Sequence, residues 1–141
     1  MGDILFLAHR VPFPPNRGDK ITTWRLLEHM GRRHDVRCIA FAHDAADFQA
    51  AEELTAMGYP TRAVPHNGTW KRIRSLPLLA TTKPLTLGVF GSRTVQALVD
   101  EVADDMDVIY AFSSSLGAFM LPHNQVGRVM HFAELDSDKW R

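Results

Sequence analysis

The sequence predicts an α/β fold in which a Rossmann-like parallel sheet is flanked by helices. Three observations carry this: strand-like apolar runs alternate with segments of helical periodicity, those runs are nearly continuous in apolar residues, and a conformationally special loop follows the first of them. Strands joined through helices imply right-handed crossovers.

The first strand is Asp3-Ile4-Leu5-Phe6-Leu7-Ala8. It leads into His9-Arg10-Val11-Pro12-Phe13-Pro14-Pro15-Asn16-Arg17-Gly18-Asp19-Lys20, where prolines remove backbone donors and stiffen the chain, and Gly18 removes a side chain as a helix begins. Backbone N–H groups at a helix N-terminus suit an anion, and Arg10, Arg17 and Lys20 can neutralise a phosphate held there. Asp19 can cap this helix, which runs to about Arg33 with Ile21, Trp24, Leu27 and Met30 on one face. A second strand spans Val36 to Ala42. Asp44 or Asp47 then starts a helix carrying Phe48, Ala51, Leu54 and Met57, stopped by Gly58, and a third strand follows at Thr61 to Val64.

The clearest helical signal is Thr94 to Ala103, with Val95, Leu98, Val99 and Val102 at i, i+3, i+4 and i+7 and Gly91-Ser92 marking its start. Val108 to Phe112 reads as a strand, Ser113 to Leu121 as a loop and short helix, and Arg128 to Phe132 as a further strand. Residues 65–90 depart from the alternation. Thr69 can cap a short helix bearing Trp70, Ile73 and Leu76 beside Lys71, Arg72 and Arg74, before Pro77 interrupts it. Such a segment either packs onto the domain, the favoured reading, or rests on an anionic membrane surface or lipid-linked substrate.

At 141 residues, 45% hydrophobic and 23% charged, the chain suits one globular domain with its own core. Sixteen basic residues balance sixteen acidic ones, which argues against a nucleic-acid partner. Cys38 is the only cysteine, so no intrachain disulfide forms; it reads as a buried strand residue rather than a nucleophile. No apolar run approaches the roughly 20 residues that span a bilayer, and no signal peptide precedes the first strand. A cytoplasmic protein is expected, with contact at the inner-membrane surface as the variant suggested by the Trp70 segment.

No G-x-G-x-x-G follows the first strand, Asp44 comes late for a ribose contact, and the P-loop pattern is missing. No zinc spacing links Cys38 to the seven histidines; His29, His34, His66 and His123 read as surface or capping residues. No metal is expected. His131-Phe132-Ala133-Glu134-Leu135-Asp136-Ser137-Asp138-Lys139-Trp140-Arg141 follows the last strand, where open sheets bind ligands. Its carboxylates can position sugar hydroxyls or stabilise a cationic transition state, or one of Asp136, Ser137 and Asp138 can cap a helix. Ser113-Ser114-Ser115 can bind a polar ligand edge, although the loop and N-cap reading is favoured and no G-x-S-x-G elbow is present.

Pro12 to Lys20, Lys83-Pro84-Leu85-Thr86-Leu87 and Leu135-Asp136-Ser137-Asp138-Lys139-Trp140 together resemble the N-terminal half of a GT-B glycosyltransferase. The likeness is to the family 4-like group of exosortase/PEP-CTERM-associated sugar transferases and covers nearly the whole chain. It implies a single acceptor-side domain over 1–141 with an irregular insertion at 65–90, lacking the C-terminal nucleotide-sugar domain, which would be supplied in cis or trans. It further implies retaining sugar transfer without metal or resident cofactor, a nucleotide-sugar as co-substrate, and a glycan or lipid-linked acceptor in exopolysaccharide synthesis. Arg17, Gly18, Asp19 and Lys20 would approach the donor diphosphate, Ser113 and Ser114 would assist binding, and Glu134 and Asp136 would lie at the reacting sugar. The chain alone would be inactive, because transfer needs donor and acceptor held together. The alternatives are a non-catalytic Rossmann-like binding or interaction module and an NAD-type oxidoreductase.

Overall fold

A computed structural model describes residues 2–66 and 93–132. Along the chain these form β1 (Asp3–Ala8), α1 (Gly18–Gly31), β2 (Asp35–Ala42), α2 (Ala45–Ala56), β3 (Thr61–Pro65), α3 (Arg93–Val102), β4 (Val108–Phe112), a 3-10 turn (Ser114–Met120) and β5 (Gly127–His131). The strands make one five-stranded sheet in the order β3-β2-β1-β4-β5, and each neighbouring pair is parallel. This is the predicted α/β, Rossmann-like fold. The Trp70 helix, the Lys83–Leu87 motif, Gly91-Ser92, Glu134, Asp136 and the rest of the C-terminal cluster lie outside the described residues.

Strand side chains alternate between two cores, as a sheet covered on both faces requires. Leu5, Leu7, Ile39, Phe41, Ile109 and Ala111 pack with Val95 and Val99 of α3 and with Leu116, Phe119 and Met120 of the 3-10 turn. Ile4, Phe6, Ala8, Val36, Cys38 and Ala40 pack with Leu27 of α1 and Ala50, Ala51 and Leu54 of α2. Burial pushes the Cys38 thiol up to about 12, so it is inert packing material.

Both helices on the second face bury polar residues beside the apolar stripes read in the sequence, of which Trp24, Leu27 and Met30 of α1 and Ala51 and Leu54 of α2 do pack on this core. In α1 the buried residues are Lys20, Thr23 and Leu27, and Ile21 is 40% exposed. In α2 they are Asp47, Ala50, Ala51 and Leu54, while Phe48 and Met57 are exposed. The cause is polar: the Lys20 ammonium donates to Asp47 at 3.0 Å, and the Thr23 hydroxyl donates to the Asp19 carbonyl at 2.9 Å. A buried charge needs its partner more than Ile21 or Phe48 needs full cover, so the pair sets the rotation.

α1 is capped differently from the expectation. Arg17, in extended conformation, is the N-cap and makes no side-chain cap hydrogen bond, and Asp19 stands in the first turn. Asp44 does cap α2, accepting from the Asp47 N–H at 2.9 Å. No helix among the described residues is long and apolar enough to cross a membrane.

Candidate functional site at the carboxyl ends of the strands

The chain leaves β1 toward β2 and β3 on one side, then returns through α3 to place β4 on the other side of β1. The loops after β1 and β4 therefore lead to opposite faces of the sheet, and the crevice at such a reversal is where α/β sheets of this kind hold ligands. His9 and Arg10 enter it from β1, Ser113 to Ser115 from β4, and His131 from the end of β5.

Aromatic rings line this edge. His9 stacks on Phe112 with centroids 5.8 Å apart, and Phe112 meets His131 at 4.8 Å. His131 Nδ1 and the Tyr110 hydroxyl are hydrogen-bonded at 2.6 Å, and Tyr110 stacks on Phe6. Burial raises the Tyr110 pKa, which keeps it a neutral phenol. Across β2 and β3, His43 and His66 lie 4.5 Å apart, and His43 Nε2 donates to the His9 carbonyl at 3.1 Å.

One carboxylate organises the loop after β1. The Asp19 carboxylate lies 3.4 Å from His9 Nε2, 3.3 Å from Arg10 Nε and 3.6 Å from Arg17 Nε. Burial pushes the Asp19 pKa up, but the Lys20 backbone N–H and the charges of His9, Arg17 and Arg10 outweigh it and hold the carboxyl below its ordinary value. Burial lowers the pKa of His9 and outweighs Asp19, so the imidazole is neutral near pH 7. Because a carboxylate only accepts, Nε2 carries the proton and Nδ1 is an acceptor. That Nδ1 is buried and has no hydrogen-bond partner among the described residues.

The loop after β4 is strained. Ser113 has φ +98° and ψ +141°, a conformation glycine tolerates and residues with a Cβ rarely adopt. It is held there from both sides: its N–H donates to the His131 carbonyl at 2.9 Å, and its Oγ is hydrogen-bonded to Ser115 Oγ at 3.0 Å.

Of the residues the sequence singled out, Arg17 and Asp19 take part in the β1-loop ion pairs, and Ser113 and Ser114 stand at the end of β4. Gly18 opens α1, where a Cβ would meet nothing within 4 Å, so close packing does not demand a glycine. Lys20 is turned away from the crevice into the α1–α2 core. Among the described residues, no cluster of three or more His, Cys, Asp or Glu side chains is arranged to hold a metal. Sequence reasoning passed over His9 and His43 and placed His66 among surface residues. A signal existed: four of the seven histidines, His9, His43, His66 and His131, fall at or directly after the carboxyl end of a strand.

No family profile matches the chain. No curated protein matches it either. Among solved structures it is similar to the C-terminal domain of a hydrogenase from Pyrococcus furiosus, 14% identical with a TM-score of 0.54, covering 93% of this chain and 92% of that one. A looser overlap, TM-score 0.45 at 10% identity and covering 97% of this chain and 71% of that one, joins it to a predicted subunit of a tRNA methyltransferase from Methanocaldococcus jannaschii. At such identity the hydrogenase domain supports the fold alone, and the second overlap carries no argument. No family profile supports a glycosyltransferase and the hydrogenase domain is not one, which overturns the resemblance drawn from the Pro12–Lys20 and Leu135–Trp140 strings. Short loop strings on a fold shared by many activities do not identify one of them. The chain is placed by its architecture as a Rossmann-like α/β domain.

Proposed function

We propose that this chain is a non-catalytic Rossmann-like binding module whose ligand is a small polar molecule held in the crevice between the carboxyl ends of β1 and β4. The observation that carries the reading is the Ser113 backbone. A strained serine, fixed by two hydrogen bonds at the point where the strand order reverses, is the kind of feature that survives because it shapes a site. The unpartnered acceptor on His9 supports it, since a buried lone pair without a donor costs about 1–3 kcal/mol unless something supplies one.

The same geometry favours a hydroxylated, weakly charged ligand. The positive end of α1 is filled by the chain's own Asp19 carboxylate, and Arg10 and Arg17 are turned onto it, leaving imidazole and hydroxyl groups to make the contacts. A ligand-observed NMR screen against a panel of polyols, small hydroxy acids and nucleosides tests this. Hits lost in Ser113→Pro and weakened in His9→Ala are expected. If no panel member binds, or if binders ignore both substitutions, the crevice is not the site.

A further inference from the structure

The two edges of the sheet differ in a way that points to a partner. At β3 the Cys38 N–H donates to the Pro60 carbonyl and the His66 N–H to the Ala42 carbonyl, each at 2.8 Å. By the two-residue period of a strand, Thr61, Ala63 and Pro65 then turn their backbone groups outward. That edge is blunted, because the Thr61 N–H already donates to Thr55 Oγ1 at 3.1 Å and Pro65 has no N–H.

Among the described residues, β5 has no such protection. Its Gly127 N–H donates to the Asp107 carbonyl at 3.0 Å, and its His131 carbonyl accepts from Ser113 at 2.9 Å, so Gly127, Val129 and His131 face β4. Arg128 and Met130 turn their N–H and C=O groups outward, and among the described residues β5 pairs with β4 alone. The strand is exposed from Gly127 to Val129, and Val129 and the following Phe132 are 44% and 63% exposed. Arg128, the one acidic or basic side chain in β5 itself other than His131, is folded back: its Nη1 donates to the Leu121 carbonyl at 3.3 Å and lies 3.5 Å from that of Met120.

We propose that β5 is a strand-addition surface on which a second copy of this chain docks antiparallel about a twofold axis, joining the two sheets edge to edge. The strand is complementary to itself. With Val129 opposite the partner copy's Val129, the outward groups of Arg128 meet those of Met130 in both directions, no like charges stand directly opposed, and an exposed apolar side chain covers its own image. A formal net charge of zero adds no long-range repulsion between copies. The short strand makes this a weak dimer.

Sedimentation equilibrium of the full chain across concentration, combined with oxidative cross-linking of Val129→Cys, tests the arrangement. Directly opposed residues in a non-hydrogen-bonded antiparallel pair have Cα atoms about 4.5 Å apart, within disulfide reach. Val129→Cys is expected to cross-link faster than Leu121→Cys, which is more exposed but lies off the edge. Met130→Pro removes an outward donor and spares the β4 pairing, and dimerisation is expected to weaken about 10-fold or more. Val129→Lys sets like charges face to face at an exposed position and gives the same loss if the proline variant folds poorly. A chain that stays monomeric at every concentration overturns the proposal. So does a dimer indifferent to Val129→Lys, or one that cross-links no faster at 129 than at 121.

Discussion

The Lys20 ammonium lies 3.0 Å from Asp47 Oδ1 with both side chains buried, joining the first turn of α1 to the first turn of α2. The second oxygen of Asp47 accepts the His43 backbone N–H at 2.8 Å, so the same carboxylate also fixes the chain as it leaves β2. Burial pushes the Asp47 pKa up, but the His43 N–H and the Lys20 hydrogen bond and charge bring it below its ordinary value. One ion pair thus sets helix rotation and anchors one side of the crevice.

Breaking that pair on one side is expected to be costly. Lys20→Met leaves a buried carboxylate with one backbone donor and should lower stability by about 3–5 kcal/mol in urea unfolding. Lys20→Met with Asp47→Leu should recover much of the loss, since two apolar groups need no partner. Additive losses in this double-mutant cycle would show that the two residues do not act as a pair.

This pair also explains what the sequence did and did not reveal. Strand positions were readable because apolar runs and helical spacing report burial directly, and α3, whose Val95 and Val99 are buried as expected, carries no internal charge on its inner face. The stripes of α1 and α2 were legible only in part, with Ile21 and Phe48 left exposed, because Lys20 and Asp47 look like surface residues until they are seen together, and they are 27 positions apart. The histidines of the crevice were missed for a related reason: each looks isolated along the chain, and only the parallel sheet brings the strand ends to one edge.

Ser113 makes a prediction that reverses the usual order of substitutions. Ser113→Ala loses the Ser115 hydrogen bond and keeps the strain, whereas Ser113→Gly loses the bond and relieves it. Thermal unfolding should place the glycine variant above the alanine variant by about 1–2 kcal/mol. Alanine above glycine would mean that this backbone is not strained in solution.

Two glycines of α1 should behave oppositely. A Cβ at Gly31 would clash with Cε1 of Tyr59, whose ring packs edge-on against Trp24, so Gly31→Ala should cost about 1–3 kcal/mol. Gly18 faces open space, and Gly18→Ala should be neutral or up to about 1 kcal/mol stabilising through helix propensity. Equal effects at the two sites in denaturant unfolding would contradict this packing.

Stability should fall on mild acidification. Burial holds His9 and His43 below the ordinary value of 6.5, so the unfolded chain binds their protons first as pH drops. The unfolded state then carries more protons, and stability is lost as pH falls from 6.5 toward the folded values. Asp19 and Asp47, both held below 3.8, add a second loss on further acidification. Urea midpoints measured against pH should show both phases, and His9→Gln with His43→Gln should flatten only the first. A wild-type profile level between pH 7 and 5 would exclude buried neutral imidazoles.

The most direct test of a binding crevice between β1 and β4 is a backbone amide shift map of the isotope-labelled chain, titrated with the tightest binder from the polyol, hydroxy acid and nucleoside panel. Saturable shifts should centre on His9, Arg10, Ser113, Ser115 and His131. Shifts centred on the outer faces of α1 and α2, or none at saturating ligand, would contradict a ligand site at the carboxyl ends of these strands.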